Sequence, residues 1–469
     1  MSAKEHIEHI ATNRSDAFCN IPHPSGHGFL TCGAFAWQKF DDIGDRVTEL
    51  DRQLKGRVHP SAAKKAVINA FVNRVLREER DVLREETVRL VVNDAAIALK
   101  ESLATIEHYF PCVLFLYGGP DKFEIGPVTF SRRRKFFSGK RSALRQSVQT
   151  SERLHVEDVE RAIEGGFPRD QAHTPTSSRQ FVRHIQADAL RTYRGYPWVA
   201  SVRIVRCDEK VSEEVAAHVV ETALNVIRVF LGANRTEQIR LAWSRGDALR
   251  TAHLYADEDG TIHPRVGSRS IGPVGSENWH DGLFVVGNPE FNVFCSALRA
   301  LVDPNELVEL HARFIDSINW FGDAATDTEP TASVVKYASA IERLLFGRYE
   351  PGRTRDFAKR IKLIFDEFDC VGKEHAYTNA SEIYKIRSTL LHGSRSPRDL
   401  SARRLAITAE QLARTCLICA ADLYPMIFRL FRNPGAKELD EVMAEIAKDG
   451  VEPLLTKAGF SRSQRSVVT

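Results

Sequence analysis

The chain of 469 residues lacks any hydrophobic run approaching the ~20 residues that a membrane-crossing helix needs. It also lacks an N-terminal apolar stretch shaped like a secretory signal, so a cytoplasmic protein with no membrane partner is expected. Its eight cysteines are scattered at positions 19, 32, 112, 207, 295, 370, 416 and 419. That spacing excludes a disulfide-dense scaffold and fits a reducing compartment. Charge of one sign is missing too: 65 Lys and Arg against 62 Asp and Glu leave a net +3. Attraction to a polyanion must therefore come from a local patch and not from the whole surface. Gly118-Gly119 is followed by no Gly-Lys-Ser/Thr, which leaves a phosphate-binding loop unsupported. No catalytic triad, carboxylate pair or cofactor fingerprint appears in the first three hundred residues, and no cofactor is expected. Internal repeats and low-complexity tracts are absent as well.

What is present is ordinary globular sequence, with 43% hydrophobic and 27% charged residues, long enough for two to four domains. The expected fold class is α+β, a mixed α/β N-terminal region followed by an all-α bundle. Boundaries are expected at 1–110 (long helices), 111–292 (α/β), 293–332 (connecting helix and linker), 333–450 (helical domain) and 451–469 (tail). Val67, Ile68, Phe71 and Val75 mark a helical face between Pro60 and about Phe110. Pro111–Tyr117 reads as a buried strand, and the alternation Phe123–Phe130 as strand pairing nearby. Residues 154–194 read as polar and irregular. Trp198–Val205 reads as a strand, Glu213–Gly232 as a helix, and Asp259-Gly260 as the turn of a hairpin. From Val293 onward the pattern is helical. Four final helices are expected at about Ser333–Phe346, Thr354–Phe368, Tyr377–His392 and Ser401–Phe431.

Two stretches carry ligand chemistry on composition alone. Cys19, His23, His27 and Cys32 form a zinc-capable donor set. Their spacing matches neither paired knuckles nor a helical histidine pair, and Pro22, Pro24, Gly26 and Gly28 favour a surface turn. No metal is assigned there. Arg132, Arg133, Arg134, Lys135, Lys140 and Arg141 form the densest basic cluster, with Phe136 and Phe137 inside it. Cations for phosphates beside rings for base stacking suit single-stranded nucleic acid. A solvated loop anchored by two phenylalanines is the plainer alternative.

The stretch Tyr384-Lys385-Ile386-Arg387-Ser388-Thr389-Leu390-Leu391-His392-Gly393 has a different character. Ile383, Ile386 and Leu390 recur at helical spacing, Gly393 can adopt the left-handed conformation that ends a helix, and Pro397 blocks resumption. Arg387 presents a permanent planar cation that matches phosphate oxygens, and His392 can exchange protons near neutrality. Five positions apart, they are displaced by about 140° and about 7.5 Å on an ideal helix. They could flank a phosphate over the frayed helix end, with Ser388 bonding a phosphate oxygen or steadying Arg387. The competing reading is a surface salt bridge and a histidine near a helix cap.

Tyr384, Arg387-Ser388 and His392-Gly393, together with Ala340-Ile341-Glu342-Arg343-Leu344-Leu345 and Phe357-Ala358-Lys359-Arg360-Ile361 upstream, resemble the HEPN superfamily in its Apea-like branch. The resemblance covers roughly Ser333–Arg432. It implies an all-α bundle that dimerises and brings paired Arg/His groups across a groove. It also implies metal-independent endoribonuclease activity on RNA, often in phage defence, with Arg387 and His392 catalytic and Ser388, Tyr384 and Glu342 supporting. A catalytically silent, RNA-binding dimerisation module is the alternative, since many members have lost activity. In either case the N-terminal region could meet a phage or host trigger.

Overall fold

The computed structural model describes residues 19–25, 28–81, 84–164, 175–242, 250–256, 262–268, 277–281, 283, 288–304, 306–348, 353–399 and 402–460. In chain order the elements begin with β1 (Cys19–Pro22), β2 (Phe29–Cys32), α1 (Ala34–Leu50) and α2 (Pro60–Phe71). A π-helical turn over Val72–Arg77 follows, then α3 (Glu85–Ser102), β3 (Ala104–Val113), β4 (Lys122–Ile125) and β5 (Val128–Arg132). Next come α4 (Arg133–Glu164), α5 (Pro175–Arg194), β6 (Trp198–Cys207), α6 (Glu209–Leu231), the single turn α7 (Ala233–Thr236), β7 (Arg240–Leu241), β8 (Arg250–Ala256) and β9 (Ile262–Ser268). The helices α8 (Pro289–Val302), α9 (Glu309–Ala325), α10 (Pro330–Leu345), α11 (Arg353–Glu367), α12 (Lys373–Leu391), α13 (Ala402–Leu430), α14 (Ala436–Asp449) and α15 (Glu452–Ala458) complete the chain. The fold is α+β with a helical C-terminal region.

Two compact units divide the chain, and neither is a continuous stretch. One gathers 1–107, 146–184 and 203–216; the other gathers 108–145, 185–202 and 217–469. In the first unit, β1 and β2 form a hairpin with Cys19 opposite Cys32. Phe40, Val47, Leu54, Val67, Ile68, Ala95 and Leu99 make its core. His59 caps α2 by accepting the Ser61 N–H at 3.1 Å, ahead of a proline at the first helical position.

The second unit holds a five-stranded sheet of order β4-β5-β6-β3-β7. The β4/β5 hairpin turns between Ile125 and Val128, and Ile125 and Phe130 on its strands and Trp198 on β6 are fully buried. β3 begins at Ala104, where a helix was expected to continue to about 110. Its β-branched and aromatic residues Thr105, Ile106, Tyr109 and Phe110 favour a pleated strand once Ser102 ends α3. Over 154–164 and 175–194, α4 and α5 stand where an irregular stretch was expected, while 165–174 lie outside the described residues. α4 has little apolar periodicity, whereas α5 carries an apolar stripe within a polar composition. The expected hairpin turn at Asp259-Gly260 lies outside the described residues.

The C-terminal helices match their expected spans to within four residues at either end. Their core includes Phe294, Phe314, Phe321, Ile341, Leu344 and Tyr424. The Tyr424 hydroxyl donates to the Leu344 carbonyl at 2.7 Å, which satisfies a buried polar tip. A polar chain crosses between α6 and α9. Asn225 and Thr222 donate to Asn319 Oδ1 at 2.9 and 3.0 Å, Asn319 Nδ2 meets His218 Nε2 at 3.0 Å, and Arg228 donates to Asn225 Oδ1 and the Ile239 carbonyl. Arg228 is buried, and that burial lowers its pKa to about 10. Gly322 leaves the space that Asn225 fills; a Cβ there would overlap the Asn225 side chain.

Two predictions follow from this packing. Gly322→Ala gains up to ~1 kcal/mol of helix propensity but overpacks a bonded, buried amide, a penalty of about 1–3 kcal/mol. Urea unfolding should show net destabilisation, and an unchanged or raised midpoint would contradict the close approach. The second concerns acid. Burial lowers the pKa of His311, whose ring stacks on Phe428 at 4.3 Å. The unfolded chain, whose imidazoles titrate near 6.5, therefore binds this proton more readily than the folded one. Its contribution is fully present above that pH, declines as pH falls below it, and levels off once the folded imidazole is also protonated. Half-buried Glu410, with its pKa raised, acts in the opposite sense. The comparison must therefore be with His311→Gln, whose stability should fall less between about pH 7 and 5.5.

Candidate active site

α12 forms because Ala376, Ala380, Ile383, Tyr384 and Ile386 all face the bundle. It ends because Gly393 adopts φ +70°. The Ser394 N–H bonds the Thr389 carbonyl at 2.9 Å and the Gly393 N–H bonds the Leu390 carbonyl at 3.1 Å, the paired bonds of a Schellman stop. His392 is the capping residue, its own N–H donating to the Ser388 carbonyl at 3.0 Å. Its side chain is exposed and makes no hydrogen bond or ion pair to a described residue.

Arg387 lies on another side of the same helix. Its Nη2 is 2.7 Å from Glu342 Oε2 on α10, with the side chains only 21% and 11% exposed. The Tyr384 hydroxyl donates to the other carboxylate oxygen, Oε1, at 3.0 Å. The Tyr384 ring packs on Phe357 of α11 at 4.8 Å between centroids, and the Arg387 guanidinium carbon lies 5.2 Å from the centre of the Tyr384 ring. Glu342 therefore holds the two α12 side chains in one direction, and Tyr384 is a buried support and not part of an open surface. Arg387 Nε is buried with no hydrogen-bond partner among the described residues, so the guanidinium is steered but not saturated. Ser388 is partly buried, and its carbonyl accepts the His392 N–H at 3.0 Å.

Arg387, Tyr384 and Glu342 are thus brought together, while His392 stands apart at the helix end. Phe357 entered the sequence reading as part of the resemblance and not as a site residue. The loop after α12 is also fixed. Thr331 Oγ1 at the start of α10 donates to the Pro397 carbonyl, and Arg395 Nε meets Asp399 at 2.8 Å. The four-residue spacing of that last pair could have signalled it.

The basic cluster at 132–141 is distributed differently from expectation. Arg132 ends β5 and donates to the carbonyls of Phe115, Leu116 and Gly118 at 3.1, 2.7 and 2.6 Å. Its guanidinium stacks over Trp198 at 4.3 Å, and burial lowers its pKa. Arg133 donates to the Arg194 carbonyl, and Lys140 lies over the Tyr109 ring at 4.9 Å. Arg132, Arg133 and Lys140 are thus engaged by the fold itself, around the end of β5 and the start of α4. Arg134, Lys135 and Arg141 remain exposed, on the first turns of α4 and not on a loop. Phe136 and Phe137 pack against Tyr109 and Tyr193, so neither ring is presented for stacking on a base.

Among the described residues no group of three or more His, Cys, Asp or Glu side chains could hold a metal. His27 lies outside them. Cys416 and Cys419 sit in the core of α13, with Cys419 Sγ 3.4 Å from Cys370 Sγ. Set against protein-family models, curated proteins and solved structures, the chain has no match.

Tyr384→Phe keeps the ring against Phe357 and removes one donor from a buried carboxylate. A hydrogen bond to a charged group contributes about 1.5–3 kcal/mol, and a loss near the lower end is expected in urea unfolding. A change indistinguishable from zero would mean that Glu342 does not depend on the hydroxyl.

Proposed function

We propose that the C-terminal helical region is a metal-independent endoribonuclease of the HEPN kind that works as a homodimer. The observation that carries this reading is a guanidinium steered by a carboxylate on a neighbouring helix, five residues before an exposed imidazole on a glycine-stopped helix end. Such a pair supplies what phosphodiester cleavage requires without a metal, a fixed positive charge and a proton carrier.

In the proposed reaction the ribose 2′-oxygen attacks the adjacent phosphorus as His392 takes the hydroxyl proton. The bond from phosphorus to the 5′-oxygen breaks, and the imidazolium returns the proton to that departing oxygen. A 2′,3′-cyclic phosphate and a 5′-hydroxyl end result. DNA has no such nucleophile and is not a substrate. Arg387 stabilises the charge that builds on the phosphorane. Glu342 and Tyr384 are positioning residues that act through Arg387, and Ser388 is placed to bond a phosphate oxygen. The resemblance to defence nucleases supports a cytoplasmic role against phage, with the N-terminal region sensing a phage or host trigger and restraining the nuclease.

The Arg387–Glu342 ion pair also favours a second reading. A carboxylate that neutralises the guanidinium weakens its pull on a phosphate, and the domain would then bind RNA without cutting it. One assay separates the two: labelled RNA in EDTA, scored for product and for retention. On the first reading the unmodified chain gives product. His392→Ala and Arg387→Ala each slow cleavage by about 100-fold or more, in line with the loss of a general acid–base or a charge-stabilising group. Both variants keep the folded, dimeric state by circular dichroism and gel filtration. Cleavage persisting in both variants removes the mechanism, and retention without product from the unmodified chain favours the silent module.

A further inference from the structure

Around the proposed site the charge balance departs from that of the rest of the chain. Between Lys385 and Arg404 there are six cations (Lys385, Arg387, Arg395, Arg398, Arg403 and Arg404) and one carboxylate, Asp399, a local net of +5 in a chain whose total is +3. Two of the six are occupied, Arg387 by Glu342 and Arg395 by Asp399. Lys385, Arg398, Arg403 and Arg404 are exposed, and none makes a side-chain ion pair with a described residue.

The carboxylates that could have compensated them are engaged or merely adjacent. Asp327 holds Lys336 at 2.7 Å. Glu410 accepts the Ala233 N–H at 3.3 Å. Glu237 shares a cavity lining with Arg403 but forms no ion pair with it. Exposed cations without an ion pair also gather at Arg134, Lys135 and Arg141 on α4; the set from Lys385 to Arg404 is the one that adjoins Arg387 and His392 in the chain.

Arg403 and Arg404 are also placed against local preference. They occupy the first turn of α13, a 29-residue helix with no acidic residue in that turn. The helix dipole disfavours cations at this end and favours them at the other. A feature that opposes local preference without internal compensation marks a functional surface more often than a structural one. The loop that carries Arg398 is held to α10 by the Thr331–Pro397 hydrogen bond and braced by Arg395–Asp399. The backbone on either side of Arg398 is therefore anchored.

We propose that Arg398, Arg403 and Arg404 form the phosphate track that seats single-stranded RNA beside His392, in place of the basic run at 132–141. This rests on the nuclease reading for the identity of the polymer. The binding surface itself can be tested apart from the cutting. Cations spaced along a loop and a helix start suit a flexible backbone. The absence of exposed aromatic rings among these residues points to phosphate contact and not to base stacking.

The experiment uses the full chain carrying His392→Ala, so that binding is read without cleavage. Fluorescence anisotropy with a labelled single-stranded RNA is followed across salt, from about 50 to 200 mM. Adding Arg398→Gln, Arg403→Gln and Arg404→Gln should weaken binding at least tenfold. It should also flatten the slope of log affinity against log salt by about 2, since each single-strand phosphate contact contributes about 0.7. The melting temperature of this variant should stay the same or rise, because two cations leave the unfavourable end of a helix. A matched variant with Arg134→Gln, Lys135→Gln and Arg141→Gln should bind as the parent does. Unchanged affinity and slope in the first variant, or the loss appearing in the second variant instead, overturns the proposal. A parent that binds no RNA overturns it too, while the cleavage assay with the intact histidine judges the nuclease reading separately.

Discussion

The arrangement of the C-terminal helices around the candidate site depends on where one carboxylate is placed. Glu342 sits on α10 with little exposure and needs donors to remain charged there. α12 supplies two, a hydroxyl and a guanidinium three residues apart and therefore on one helical face. Burying an unpaired carboxylate would cost several kcal/mol, so the bundle is most favourable in the register that brings Tyr384 and Arg387 to Glu342. That register fixes how far α12 runs past α10, and so fixes where its glycine stop and the exposed His392 fall. The Thr331–Pro397 bond then ties the outgoing loop to the start of α10. A single acid–base pairing thus sets a direction for the cation and, through helix length, a height for the imidazole.

A second polar chain in the same unit does similar work in a different medium. His218, Asn319, Asn225 and Arg228 link α6 to α9 through neutral amides and one buried cation whose pKa burial depresses. Apolar packing alone permits helices to slide by a turn with modest loss. Partially satisfied amides do not, because each misplaced donor is left unpaired in low dielectric. The missing side chain at Gly322 makes the complementarity steric as well as polar. Together the two networks constrain α9, α10 and α12 on separate faces, which gives the candidate site rigid elements to stand on.

Much of this was legible before any coordinates. The last four expected helices were readable because their apolar residues recur at helical spacing between strong stops: Gly372 and Gly393 adopt positive φ, and prolines open α8 and α10. The hairpins at 122–132 and 250–268 were readable from alternation and turn residues. What escaped reading had one of two causes. α4 presents too little apolar periodicity for a helix to stand out; α5 carries the spacing in Val182, Ile185, Ala189 and Tyr193, but polar residues dominate its composition, so the stretch resembled a loop. Arg132 looked like its five cationic neighbours, and nothing in the spacing reveals that three backbone carbonyls and a tryptophan face wait for it. Charge runs are legible as composition. Which members a fold consumes is a property of tertiary contacts. Glu342 was singled out because a resemblance pointed to it, and Tyr384, Arg387 and the stretch holding Phe357 came with the same pattern, whereas nothing in that pattern says that Phe357 lies against the tyrosine ring.

The same distinction between composition and placement bears on how a nearly neutral protein could attract a polyanion. At physiological ionic strength the Debye length is about 8 Å, so a phosphate approaching the end of α12 responds to the charges within a turn or two and not to the total of +3. Paired cations contribute little to that local field, because each carries its carboxylate with it. Arg387 and Arg395 are in this class and serve geometry. Unpaired cations are not, and in the stretch from α12 to the start of α13 they are Lys385, Arg398, Arg403 and Arg404. A site that used its paired arginine alone would be well oriented but weakly attractive; one that used only the unpaired ones would attract without orienting. Separating the two tasks between residues a few positions apart lets the backbone be drawn in by one set and aligned by the other. His392 is left free of either duty to exchange a proton.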